Sequence, residues 1–113
     1  MKKAEKEQCK EIAALARKSF EVAKASLEIA AKAFESDNLK MKEIGFDFAQ
    51  FARLDIRAAE ILNDTEEIKA MQAKGSLDKW LENLKFDLML EGKGQAIARK
   101  AIIQNNPELW RYE

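Results

Sequence analysis

The sequence predicts an all-α fold: a bundle of four to five helices with a long N-terminal helix, open to completion by dimerisation. Three observations carry this expectation. One proline and four glycines occur in 113 residues, so few positions interrupt a helix. Ala, Lys, Glu and Leu dominate, and all are strong helix formers. No stretch alternates apolar and polar residues long enough to read as a strand.

The elements follow from their punctuation. Helix one is expected from Ala4 to Glu35, a run without Gly or Pro. Ser36-Asp37-Asn38 offers a stop, with Asp37 or Asn38 as the next N-cap, because a short side-chain oxygen can accept from the first free amides of a helix. Helix two then covers Leu39 to Asn63, interrupted by Gly45 alone. Asp64 and Glu67 have capping-box spacing and open a short third helix that ends at Gly75. Ser76 caps a fourth helix reaching Glu91. Gly92-Lys93-Gly94 reads as a hinge or loop before a fifth helix, Gln95 to Gln104. Asn106-Pro107 is an N-cap and N1 pair, so one last helical turn is expected. There is no internal repeat and no linker, and residues 1–113 read as a single domain.

Composition excludes several function classes. Twenty basic and 20 acidic residues cancel, which argues against a dedicated polyanion binder. The single cysteine precludes a disulfide framework and suggests a cytoplasmic location. The longest apolar run, Ile12 to Ala16, is far short of the roughly 20 residues a membrane span requires. No apolar segment follows Lys2 and Lys3, so no secretory signal is expected. Absence of histidine removes Ser-His-Asp and Cys-His catalysis and the histidine-bearing di-iron bundles. One cysteine and no histidine leave no zinc set, and no phosphate-binding glycine loop follows a strand. Asp47, Asp55 and Glu60 could in principle do acid–base chemistry, but nothing pairs them. The chain therefore reads as a non-enzyme that needs no cofactor and no metal.

The helix faces point instead to binding. In helix one, Cys9, Ala13, Ala16, Phe20, Ala23, Leu27, Ala30 and Phe34 form a 4,3-spaced seam rich in alanine. Cys9 reads there as a small core residue. Leu15, Val22 and Ile29 make a second ridge, with Ser19, Ser26 and Ala33 in the valley between. About 32 helical residues span roughly 48 Å. That exceeds a compact globule of this size, so either the bundle is elongated or a second chain covers the excess. In helix two, Met41, Ile44, Phe48, Phe51, Ala52, Ala59 and Leu62 form an apolar face with Asp55 near its middle. Asp55 reads as a buried structural polar group, partnered by a cation, the Trp80 indole or the Tyr112 hydroxyl. Phe46 falls on the opposite side, near Arg53 and Arg57. In helix four, Phe86, Met89 and Leu90 project away from the Leu77–Leu88 stripe, to be covered by the C-terminal segment or by a partner.

The function expected is thus protein–protein interaction without catalysis: an adaptor, an assembly subunit or a small stoichiometric inhibitor. Phe46, Arg53, Arg57, Phe86, Met89 and Leu90 form the expected interface, with another protein or, preferably, a second copy as partner. No small-molecule substrate is implied. The alternative is a weak nucleic-acid-binding subunit using Lys93, Arg99, Lys100, Trp110 and Arg111. It is disfavoured because Asp78, Glu82, Asp87 and Glu91 offset the local positive charge.

Overall fold

The computed structural model describes residues 3–111. Five helices follow one another: α1 Lys3–Phe34, α2 Leu39–Leu62, α3 Thr65–Lys74, α4 Leu77–Ile103 and the single turn α5 Glu108–Arg111. There is no strand among the described residues, and the fold is an all-α bundle.

Local chemistry sets most boundaries. Asn38 caps α2, its side-chain oxygen accepting from Lys40 N at 2.8 Å and Met41 N at 3.4 Å. Asp64 caps α3 in the same way, through Glu66 N and Glu67 N. Gly75 ends α3 in the left-handed region, at φ 72°, where a Cβ would be strained. Ser76 precedes α4 without a side-chain capping bond.

One boundary differs from the sequence expectation. Gly92, Lys93 and Gly94 form no loop; they lie inside one continuous 27-residue helix, α4. Two helical glycines cost about 1 kcal/mol each against alanine. Burial of Leu88, Gln95, Ala98 and Ala101 on either side of them offsets that cost. Gly94 also provides clearance, since a Cβ there would come within 3.2 Å of the Trp110 ring.

α1 and α2 form an antiparallel hairpin, and α4 lies in one of its two grooves, running in the direction of α1. Gln8 donates to Asp78 at one end of α1 and α4, and Ser26 donates to Glu91 further along. The molecule extends 54 × 20 × 20 Å, so the long first helix is accommodated by an elongated bundle. Helix length therefore gives no reason to invoke a second chain.

The core is divided. One apolar cluster joins Leu15 and Val22 to Leu62, Leu77, Leu81 and Leu88. The other joins Ile29 and Ala33 to Met41, Ile44, Phe48 and Ala98. Between them lie the buried polar side chains Ser26, Asp55 and Gln95, and Ser19 is buried within the first cluster. Gln95 Nε2 donates to Val22 O and to Ser26 Oγ, both at 2.9 Å.

The orientation of α1 corrects a second expectation. The small residues of the valley, Ser19, Ser26 and Ala33, are fully buried, while the large seam residues Phe20, Leu27 and Phe34 stay 48%, 47% and 38% exposed. Two neighbouring helices approach α1 most closely over its smallest side chains, so Ala16, Ala23 and Ala30 of the seam are buried while its large residues stand at the margin of the bundle. Cys9, at the end of that seam, is exposed rather than part of the core.

Candidate functional site

Two surfaces combine the unusual residues. The first is the hairpin groove that α4 does not fill. Phe20, Leu27 and Phe34 repeat every seven residues along its α1 edge. Ala49, Arg53, Ile56 and Glu60 of α2 face Leu27 across a depression of about 480 Å³. At the α1–α2 turn Phe34 lies over Gly45, where a Cβ would come within 2.7 Å of its ring. Phe46, 66% exposed, meets Phe34 edge-on with ring centroids 5.1 Å apart. The groove thus ends in an exposed aromatic pair.

The second surface is a cleft of about 630 Å³ between α2 and α4. Phe51, Leu54 and Ile61 wall it from α2, and Trp80 and Leu90 from α4. Trp110 closes one end, held by its packing on Phe48 at 4.9 Å and by its indole N–H donating to Asp47 Oδ2 at 3.0 Å. Three carboxyl side chains, Asp55, Asp87 and Glu91, stand in this mostly apolar setting.

Asp55 is 6% exposed, and its Oδ2 atom receives no donor. The expected cation or Trp80 partner is not there, and Tyr112 lies outside the described residues. Asp55 instead meets the Glu91 carboxyl. Burial, then the hydrogen bond and the negative charge of Glu91, then the charge of Asp87 push the Asp55 carboxyl from the usual 3.8 up to about 8. Asp55 therefore holds its proton at neutral pH. Ser26 supports the pair by donating to Glu91 Oε2 at 2.5 Å.

The remaining sequence candidates are dispersed. Arg53 and Arg57 are exposed beside the bare hairpin groove, and Arg57 also reaches the α2–α4 cleft. Leu90 lines that cleft, whereas Phe86 and Met89 are exposed and line neither surface. The C-terminal segment does not fold over Phe86, Met89 and Leu90; Leu109 and Trp110 pack on the cluster around Phe48 instead. Lys93, Arg99 and Lys100 are exposed on α4. The aromatic platform expected beside them is lost, because Trp110 is committed to Phe48 and Asp47. The Arg111 side chain lies outside the described residues.

Gln95 is not a site candidate in the sequence because the expected break at Gly92 detaches it from α4, and Glu91 reads there only as one of the acids that offset the basic end. On a continuous helix they extend the Leu77-Leu81-Leu84-Leu88 stripe, which is the signal that would have revealed them. Among the described residues no group of three or more Cys, Asp or Glu side chains is placed to hold a metal ion. No helix among them is long and apolar enough to cross a membrane. Comparison of the chain with family models, with curated proteins and with solved structures finds no match.

Proposed function

We propose that this chain is a non-enzymatic, stoichiometric protein-interaction module and that the bare groove of its α1–α2 hairpin receives a second copy of itself. One observation carries the reading: Phe20, Leu27 and Phe34 stand partly exposed at seven-residue spacing along a single helix. That is the spacing by which helices present knobs to a partner helix. α4 occupies the opposite groove of the same hairpin, so a helix from outside would complete a four-helix arrangement.

Charge favours a copy of this chain as the occupant. Arg53 and Glu60 lie seven residues apart on the same rim of the groove. Two copies related by a two-fold axis in antiparallel orientation set each Arg53 against Glu60 of the second copy, the reciprocal pairing a two-fold interface requires. Phe46 and Phe34 supply aromatic anchors at the ends.

Light scattering across a concentration series tests this directly. The expected mass is twice that of the 12.9 kDa chain, and Leu27→Glu should return it to one chain with helical content intact. A single-chain mass at every concentration would refute self-association.

A further inference from the structure

We propose that the α2–α4 cleft binds a small apolar amine, with its protonated nitrogen between Asp55 and Glu91 and its body towards Trp110. The site is distinct from the hairpin groove and does not rest on dimerisation.

The chemistry of the cleft selects this class. Its volume of about 630 Å³ falls in the range of small-molecule sites, typically about 300–1,000 Å³. The walls contain aromatic and aliphatic side chains, which favour an apolar body. Three carboxyl groups oppose an anion. Asp55 Oδ2 is the most specific indication, being a buried oxygen in the lining without a hydrogen-bond partner. An ammonium group offers three donors, takes the place of the Asp55 proton, and can lie over an indole face. Arg57 is the one cationic side chain lining the cleft, and it makes no ion pair there among the described residues.

Binding is therefore linked to proton release. From α4, Glu91 and Asp87 face Asp55; on α2 itself the nearby charge is Arg57; α1 contributes the neutral Ser26, bonded to Glu91. A cation that displaces the Asp55 proton binds more tightly as pH rises towards 8, by up to roughly tenfold per unit. Above that pH the dependence flattens.

The chain provides its own reporter, since its two tryptophans, Trp80 and Trp110, both line the cleft. The experiment titrates the full chain with 2-phenylethylamine, reading tryptophan fluorescence at pH 6.5, 7.5 and 8.5. Its neutral analogue 2-phenylethanol serves as the control. Saturable amine binding that tightens at least tenfold from pH 6.5 to 8.5, with the alcohol at least tenfold weaker, is expected. Asp55→Asn should abolish the pH dependence, and Glu91→Gln should weaken amine binding at least tenfold. Equal affinity for amine and alcohol would overturn the proposal, as would no saturable response to the amine at millimolar concentration. A lysine-bearing helical peptide that binds where the amine does not would overturn it in favour of a protein ligand.

Discussion

Replacing Asp55 by asparagine should make the protein more stable at neutral pH, and the size of the gain should depend on pH. Asp55 titrates near 8 in the folded chain and near 3.8 when unfolded. Between those values the folded state binds more protons than the unfolded state, so stability falls as pH rises. The slope reaches at most about 1.4 kcal/mol per pH unit for one group, or about 2.7 kcal/mol between pH 5 and 7. Below about pH 3 both states are protonated and the effect vanishes; above about pH 9 both are ionised and it is constant. Asparagine is nearly isosteric, remains neutral and can donate to Glu91. The variant should therefore exceed the parent by about 1–2 kcal/mol at pH 5 and by a few kcal/mol more at pH 8. Urea unfolding of both proteins at pH 5, 6, 7 and 8, followed by circular dichroism, measures the difference, in which contributions of other carboxylates largely cancel. A difference that stays constant over this range would show that Asp55 ionises as an ordinary carboxylate and would refute the reasoning. The sequence alone suggests the opposite sign, because it implies a cationic or hydroxyl partner that asparagine would lose.

Other substitutions test other features. Ser19→Ala should raise stability by about 1 kcal/mol, because the Ser19 hydroxyl is buried without a partner, whereas Ser26→Ala should lower it by a similar amount through lost bonds to Glu91 and Gln95; thermal melts that rank them the other way would reject these roles for the two serines. Gly92→Ala should stabilise by about 0.5–1 kcal/mol, since a Cβ there meets nothing within 4 Å, and Gly94→Ala by less, because Trp110 must shift; a neutral or harmful Gly92→Ala would restore a hinge at that point. Phe46→Ala should leave unfolding within about 1 kcal/mol of the parent while weakening self-association, and a loss near the 3–5 kcal/mol of a core phenylalanine would remove Phe46 from the interface. For the nucleic-acid alternative, Arg99→Ala with Lys100→Ala should leave unchanged the low-salt mobility of single-stranded RNA mixed with the protein; a shift seen with the parent and lost in the variant would revive it.

Much of the fold was legible because its boundaries are local events. Asn38, Asp64 and Gly75 each act on amides or carbonyls within a turn of themselves, so a short window suffices to place them. The continuity of α4 was not legible, because the cost of Gly92 and Gly94 is local while the burial that outweighs it involves α1, α2 and Trp110. The rotation of α1 was hidden for a similar reason. Serine reads as polar, yet Ser19 and Ser26 lie where the helices come closest, and small size decided the packing. Asp55 could be singled out as a carboxylate on an apolar face. Its neighbour, Glu91, lies 36 positions away on another helix, so no spacing rule connects the two.

The seven-residue likeness within α1 makes the buried serines a device for alignment. Leu15-Ala16-Ser19 resembles Val22-Ala23-Ser26, and Ile29-Ala30-Ala33 follows the same plan. Apolar packing alone would distinguish poorly between the native alignment and one displaced by a heptad, about 10.5 Å along the axis. In one direction the slide would force Ile12 into the sealed space of Ser19, and the close-packed interior has no room for it. In the other it would put Ala33 in place of Ser26 and strand the side chains of Gln95 and Glu91. One serine thus acts as a gauge of volume and the other as a latch, and between them they leave a nearly periodic helix a single place to stop.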